Sequence, residues 1–228
     1  MLRRFQVLIA ALGFAISPLS AQHDHGAHEH AASRASGVQS AGYFLPHPLP
    51  LDAFTLVDQN SEPFALADLE GRWTLVVFGY THCPDVCPTT LLQVRETKRL
   101  LRERAPTLDV RSLFVTVDPE RDTPAQVAQY VDVFGEGLVG LTGSPEELAA
   151  FAEQFRVKYA VTTSTPDGYF LDHTSSVALL TPAAELRAVF SVPLRPEQLA
   201  ADLAGLARGD APAAREVAST TPAAGARP

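Results

Sequence analysis

The stretch 74-TLVVFGYTHCPDVCPTT-90 joins an apolar, β-branched run to a segment that holds the only two cysteines of the chain, Cys83 and Cys87. The run at 74–78 is typical of a strand that is buried on both faces of a sheet. Residues 89–104 place leucine and valine among charged residues at helical spacing, which predicts a helix. Both cysteines are therefore expected at the carboxyl end of a buried strand, where open α/β sheets usually place their functional sites.

The rest of the sequence between residues 46 and 208 alternates between strand-like and helix-like segments. In chain order the predicted elements are a hairpin at 52–57 and 64–66, the strand at 74–78, the helix at 89–104, a second buried strand at 110–117, a helix from 124, a helix from 145, strands at 176–180 and 186–192, and a helix at 196–207. Asp122 or Thr123 is predicted to cap the helix that begins at Pro124, and Ser144 begins a capping-box sequence. This alternation describes an α/β or α+β sandwich. Of the two, we predict the α/β class, with an added N-terminal β-hairpin.

Both ends of the chain have compositions that differ from the centre. Residues 1–21 combine a positive start with a short apolar run, which predicts a cleaved signal peptide, with an uncleaved N-terminal anchor as the alternative. Either interpretation exports the domain, and in a bacterium the destination is the periplasm, where thiols can be oxidised. Residues 22–45 are predicted to form a His/Ala/Ser-rich linker, and residues 209–228 a disordered tail.

The linker carries four closely spaced histidines, His23, His25, His28 and His30. Such tracts can hold metal loosely. A polar exported linker that is rich in histidine for other reasons explains the tract equally well. Nothing in the sequence decides between the two interpretations.

Charge and cysteine count exclude several classes of function. With 18 Lys+Arg against 26 Asp+Glu, the net charge of −8 gives no electrostatic basis for binding nucleic acid. The same charge limits any membrane association to the N-terminal anchor. Two cysteines are too few for a disulfide scaffold, so chemistry is the more natural reason for their presence.

The cysteine pair can do either redox or metal chemistry. If Cys83 and Cys87 share a helical turn, both sulfurs emerge on one face, where they can close a disulfide or bind one ion. A helix N-terminus lowers thiol pKa, which favours the thiolate that both reactions require. His173, directly ahead of the strand at 176–180, is the candidate third ligand, and a core or cap histidine is the alternative. Two thiolates and one imidazole favour copper(I) over structural zinc, which takes four protein ligands.

Three segments resemble the motifs of the Sco/SenC family of copper proteins. The string 79-GYTHCPDVCP-88 resembles the copper-site motif of that family, 117-VDPERDTP-124 its second motif, and 172-DHTS-175 its third. They follow one another in the family's order, and the resemblance covers about residues 45–208. It implies a thioredoxin-like domain at 46–208.

The resemblance also implies roles for individual residues. Cys83 and Cys87 would be thiolate ligands and His173 the imidazole ligand of one copper ion per chain, with copper(I) favoured. The same two cysteines would form the redox-active disulfide pair when oxidised. Four further candidates surround the site: Asp118 and Asp122 match acidic positions of the second motif, Asp85 is expected to be exposed and to face a partner, and His82 is expected to point away from the sulfurs. A turn and a helix cap are the alternative roles of Asp118 and Asp122.

The resulting functional hypothesis is an exported copper metallochaperone rather than an enzyme. The resemblance implies delivery of copper to the binuclear copper site of cytochrome c oxidase, with the oxidase copper-site subunit and other periplasmic copper carriers as partners. The alternative is a thiol–disulfide reductase that acts on the cysteines of that copper site. A thiol peroxidase is disfavoured because the motif contains no arginine, and a plain structural disulfide is disfavoured because so short a loop stabilises little.

Overall fold

The computed structural model of the chain describes residues 42–135, 137–165 and 168–210. The predicted signal or anchor at 1–21, the four histidines of the linker and the tail from 211 onward lie outside these residues. The strands are β1 Gly42–Pro50, β2 Thr55–Asp58, β3 Pro63–Ala65, β4 Trp73–Gly79, β5 Val110–Thr116, β6 Leu138–Thr142, β7 Tyr159–Thr165, β8 Gly168–His173, β9 Ser176–Leu180 and β10 Glu185–Ser191. The helices are α1 Val86–Arg104, α2 Pro124–Asp132, α3 Pro145–Gln154 and α4 Pro196–Ala207, with a 3-10 turn at Leu66–Leu69.

Eight strands form one mixed sheet in the order β1-β10-β9-β4-β5-β6-β2-β3. The central strands β4, β5 and β6 run parallel, and every other neighbouring pair runs antiparallel. Strands β7 and β8 form a separate antiparallel hairpin, in which Tyr159 pairs with His173. Strand β4 is the fourth strand in this order, between β9 and β5. The loop that follows its carboxyl end therefore leaves the sheet near the centre of the strand order.

Hydrophobic side chains from the two faces of β4 pack into two separate cores. Val76 and Phe78 pack in the core that contains Phe151 of α3, while Leu75 and Val77 pack in the core that contains residues of α1, α2 and α4. Burial on both faces explains why the sequence of this strand is apolar without alternation. The prediction of a doubly buried strand at 74–78 is confirmed.

Most predicted elements are present, with small shifts at their ends. The hairpin ahead of β4 and the last helix are confirmed. Ser144 and Glu147 form the expected capping box of α3. Helix α1 begins at Val86, earlier than predicted. Pro88 does not prevent this, because it falls within the first turn, where the backbone N–H has no partner inside the helix. None of the described helices is long and apolar enough to cross a membrane.

Four strands were not predicted, namely β1, β6, β7 and β8. Strand β1 contains three prolines and lies at the sheet edge, where strands tolerate proline. It begins at Gly42, ahead of the predicted domain start at residue 46. Strand β6 contains Gly140, which weakens the strand signal but is required because a Cβ there would lie 2.2 Å from a Val127 methyl carbon.

Candidate metal centre

The two cysteines lie between the end of β4 and the first turn of α1. Cys83 is in the connecting loop, where its backbone N–H donates to the Tyr80 carbonyl at 3.1 Å. Cys87 is inside α1, and its backbone N–H donates to Cys83 Sγ at 3.5 Å. The two cysteines therefore do not share a helical turn. Their sulfurs meet because the loop folds Cys83 Sγ over the free N–H groups at the start of the helix.

Gly79, the last residue of β4, leaves room for the Cys87 sulfur. A Cβ at this position would lie 2.8 Å from Cys87 Sγ and 3.0 Å from a ring carbon of Phe114. Both distances are shorter than ordinary side-chain contacts. A glycine is thus required where the strand passes close to the sulfur.

The imidazole of His173 reaches the sulfur pair from the end of β8. Its Nε2 atom lies 3.5 Å from Cys87 Sγ, and its Nδ1 atom lies 3.2 Å from the carbonyl oxygen of Thr174. We assign the tautomer in which Nδ1–H donates to that carbonyl, which leaves the Nε2 lone pair directed toward the sulfurs. The Tyr80 ring packs edge-on against the imidazole, with the ring centroids 6.1 Å apart.

Two sulfurs and one imidazole nitrogen thus converge from a loop, a helix and a hairpin. The ligand atoms of Cys83, Cys87 and His173 all lie within 4.8 Å of one another. Both cysteines are free and buried, and His173 is half-buried. Across the described residues, this is the only cluster of three or more His, Cys, Asp or Glu side chains with ligand atoms so close together.

A hydrogen bond between the two cysteine side chains gives them opposite protonation states. The bond to Cys87, with a smaller contribution from His173, lowers the pKa of Cys83 to about 4 against the opposing effect of burial. The same bond, followed by burial, raises the pKa of Cys87 far above its ordinary value. In the metal-free dithiol, Cys83 is therefore a thiolate at neutral pH and Cys87 carries the shared proton.

The space beside the donor group is very small. A cavity of about 10 Å³ is lined by Cys87, His173, Ser175 and Ser176, among other residues. Such a volume holds roughly one water molecule. The arrangement therefore suits a single ion better than an organic substrate.

Asp122 is fully buried and joins the cysteine loop to the end of β5. Its carboxylate accepts hydrogen bonds from the Thr81 N–H at 2.9 Å, the Thr81 hydroxyl at 2.6 Å and the Thr116 hydroxyl at 2.6 Å. The cap of α2 is Thr123, whose side chain accepts from the Gln126 N–H. The cap prediction is thus confirmed for Thr123 and wrong for Asp122, because the Asp122 side chain turns inward to the threonines.

Asp118, Arg121 and Tyr169 form a group that we call the hairpin clamp. The Tyr169 hydroxyl donates to Asp118 Oδ1 at 2.6 Å, and Arg121 Nε donates to Asp118 Oδ2 at 2.6 Å. Arg121 Nη1 also donates to the Tyr169 carbonyl at 2.9 Å, with its guanidinium carbon 3.7 Å from the centroid of the Tyr169 ring. Burial and the Asp118 contact raise the pKa of Tyr169 to about 12, so its hydroxyl remains a donor. Because Tyr169 and His173 share strand β8, the clamp positions the imidazole.

The remaining candidates lie around the donor group and not within it. The turn expected at Asp118 is present, since its carbonyl accepts from the N–H groups of Arg121 and Asp122. The His82 ring contacts the Thr81 hydroxyl at 3.0 Å, with its Nδ1 atom 3.8 Å from Asp122. Asp85 is exposed, as expected.

Sequence reasoning missed the parts played by Tyr80, Arg121 and Tyr169. Arg121 lies inside one of the quoted motifs, but its partner Tyr169 lies far along the chain in a hairpin that was not predicted. The hydroxyl of Tyr80 accepts from the Leu171 N–H at 3.4 Å, which is a second link from the site to β8. The contacts of these tyrosines can be recognised only when the strand pairing is known.

The fold and the site together define a class of protein, an α/β protein of thioredoxin-like fold with a Cys-Cys-His donor group at the end of a central strand. The family model for SCO1/SenC matches residues 48–208. The chain belongs to the SCO1/SenC family, which confirms the predicted resemblance and the thioredoxin-like fold.

Known relatives agree with this assignment. The mitochondrial SCO2 homolog of Bos taurus is 42% identical over 130 residues, which are 57% of this chain and 49% of the bovine protein. The crystal structure of Arabidopsis thaliana ScoI with copper bound is 34% identical, with a TM-score of 0.66 over 69% of this chain and 98% of that one. The structure of Bradyrhizobium japonicum ScoI with copper bound is 38% identical, with a TM-score of 0.61 over 68% and 97%. The match thus spans about half the length of the bovine protein.

Proposed function

We propose that this chain is an exported copper metallochaperone that carries one copper(I) ion on Cys83, Cys87 and His173. The observation that carries the proposal is the convergence of their three ligand atoms within 4.8 Å. Two sulfurs and an imidazole form the soft donor set that copper(I) prefers. The copper-bound structures of the Arabidopsis and Bradyrhizobium relatives support the choice of metal.

Loading of the ion follows from the protonation of the pair. Cys83 offers a thiolate, while Cys87 gives up its proton when its sulfur bonds to copper(I), so that one proton is released per ion bound at these residues. His173 contributes the Nε2 lone pair without losing a proton. The ion is cargo here, and its transfer to a partner is an exchange of these ligands for those of the acceptor.

The proposed acceptor is the subunit that holds the binuclear copper site of cytochrome c oxidase. This assignment rests on membership in the SCO1/SenC family and on the three motifs that carry it. Location in the periplasm, free or held by the N-terminus, is part of the same proposal, as is exchange with other periplasmic copper carriers. Asp85, which is exposed and lies two residues after Cys83, is the proposed contact for a partner.

A thiol–disulfide reductase remains the second candidate because the two free sulfurs also form a dithiol with one thiolate. In that reaction the Cys83 thiolate attacks a partner disulfide, and Cys87 then displaces the partner thiol to leave a Cys83–Cys87 disulfide. Copper binds only the dithiol, so the oxidised form does not carry the ion. This function needs the cysteines but not His173, which separates it from the first.

A copper(I) titration of His173→Ala tests the proposal. We expect the reduced protein to bind one copper(I) per chain in competition with bicinchoninate, and the variant to bind at least about tenfold more weakly because one ligand is lost. His47→Ala, at an exposed position of the edge strand β1, is the control and should bind like the unaltered chain. Unchanged affinity in His173→Ala would contradict the three-ligand site. Copper-independent reduction of an oxidised copper-site peptide by the variant would instead favour the reductase.

A further inference from the structure

A second cavity, larger than the one at the metal centre, lies between α1, β5 and β6. Its volume is about 540 Å³, within the usual range of small-molecule sites. Apolar side chains line part of it, among them Leu91 and Val94 of α1 together with Phe134 and Leu138. Nothing in the copper proposal uses this space, and neither cysteine nor His173 lines it.

Three cationic side chains line the same cavity from one face of α1. Arg95, Lys98 and Arg102 follow one another at i, i+3 and i+7, which places them in a row along the helix. Lys98 donates to the Gly137 carbonyl at 3.1 Å, and burial lowers the pKa of Lys98. Over the described ranges neither Arg95 nor Arg102 forms an ion pair, whereas Arg99 on the same helix is paired with Glu96.

The described residues that line the cavity do not balance the positive charge of these three side chains. None of the described residues that line it is acidic, although the chain as a whole has a net charge of −8. Asp109 acts on Lys98 only through longer-range electrostatic attraction, and no hydrogen bond or ion pair joins the two side chains. Three cations that share one apolar cavity attract an anion with an apolar body.

A buried hydroxyl in the cavity wall also has no partner. Ser112 on β5 lines the cavity and is only 1% exposed, and its Oγ atom has no hydrogen-bond partner among the described residues. Buried hydroxyls are normally hydrogen-bonded, because leaving one unpaired loses its hydration without compensation. A ligand oxygen in the cavity would satisfy it.

We infer that this cavity binds a small amphipathic carboxylate, such as a medium-chain monocarboxylate. The carboxylate lies among Arg95, Lys98 and Arg102 and accepts a hydrogen bond from Ser112, while the alkyl chain covers Leu91, Phe134 and Leu138. The inference does not depend on the copper site, which occupies other residues.

Binding of octanoate to the full chain tests the inference, with 1-octanol and octylammonium as probes of matched size. We expect saturable octanoate binding by calorimetry and by ligand-observed NMR, with weaker binding of octanol and none of octylammonium. The double variant Arg95→Gln/Arg102→Gln should weaken octanoate binding by at least about tenfold, since it removes two charged partners. Ser112→Ala should weaken it by about threefold or more. Arg99→Gln, which removes a charge from the exposed side of the same helix, should leave it unchanged.

The outcomes that would overturn the inference are equally specific. Octanol binding as tightly as octanoate would show that the cations play no part. An equal loss of octanoate affinity in Arg99→Gln would show that the effect depends on the overall charge of the helix and not on Arg95 and Arg102 in particular. Absence of saturable octanoate binding at millimolar concentration would show that the cavity is not a carboxylate-binding site. Leu138→Trp fills the cavity while leaving all three cationic residues unchanged in the sequence, and octanoate binding that survives this change would place the ligand elsewhere.

Discussion

At the scale of single residues, the two cysteines differ although the sequence presents them as an equivalent pair. Cys83 lies in a loop, and its sulfur accepts the Cys87 N–H at the start of α1. Cys87 lies in the helix, against Gly79 and the buried core. The helix start and the hydrogen bond between the two side chains therefore favour thiolate on Cys83 and thiol on Cys87.

Alkylation of the metal-free reduced protein should reveal this difference. A pKa of about 4 keeps Cys83 as thiolate at every pH well above that value, so its rate with iodoacetamide should stay nearly constant between pH 8 and about pH 6. The rate should fall only as the pH approaches the pKa from above, because protonation then removes the nucleophile. Peptide mass spectrometry after partial reaction should find the label on Cys83. Preferential label on Cys87, or a rate that falls from pH 9 downward, would contradict the assignment.

Gly79→Ala tests the close approach of strand and sulfur. The added methyl group meets Cys87 Sγ at 2.8 Å, so either the strand or the sulfur must shift. We expect a loss of about 1–3 kcal/mol in the free energy of unfolding, measured by urea denaturation, and weaker copper(I) binding. Gly205→Ala in α4, where an added Cβ would come no closer than 3.7 Å to atoms beyond its own helix backbone, is the control and should affect neither quantity adversely. Equal effects of the two substitutions would argue against a specific role of Gly79.

At the scale of elements, the β7–β8 hairpin depends on the hairpin clamp for its position relative to the cysteines. It is a separate two-stranded sheet, so main-chain bonds to the large sheet do not hold it. Tyr169 links it to Asp118 and Arg121, and Tyr80 links it to the end of β4. An isolated hairpin is marginally stable, so these side chains determine how well His173 is held.

Arg121→Ala removes two hydrogen bonds and the stacking on Tyr169 while leaving every proposed ligand in place. We expect about a tenfold loss of copper(I) affinity, less than in a cysteine variant, because His173 must then be ordered when the ion binds. Hydrogen exchange of the β8 amides in the metal-free protein should become faster, a readout that does not depend on copper. Arg72→Ala, which breaks an exposed pair with Asp109, is the matched control. Unchanged β8 exchange in Arg121→Ala would contradict the clamp.

At the scale of the whole molecule, copper binding should stabilise the fold because the ligands come from three separate elements. A ligand that binds only the native state adds about 4 kcal/mol when its free concentration is 1,000 times its Kd. We expect the unfolding midpoint of the reduced protein to rise with copper(I), and a Cys83→Ser/Cys87→Ser variant to show no rise. A rise of equal size in that variant would place the metal elsewhere, with the histidines at His23 to His30 the first alternative. Deletion of residues 22–40 then separates the linker from the site.

Much of the fold and the identity of the three proposed ligands could be predicted from sequence. The apolar run at 74–78, the capping box at Ser144 and the helix at 196–207 are local patterns, and local patterns depend on residues that are close in the chain. The motifs around Cys83, Cys87 and His173 could also be recognised from the sequence, because each is a short string with an unusual combination of residues. Strands β1 and β6 were missed because their prolines and glycine weaken the strand pattern, although sheet position makes these residues acceptable.

The sequence by itself determined the donor types, the central strand that presents the cysteines and the family to which the chain belongs. Only the tertiary structure decided that Asp122 faces the threonines instead of capping a helix, and that Arg121 and Tyr169 clamp the hairpin carrying His173. The same holds for the cavity in which Ser112 faces a row of cations from α1. These features join residues that lie far apart in the chain, and the pairing and packing that bring them together depend on the whole sheet.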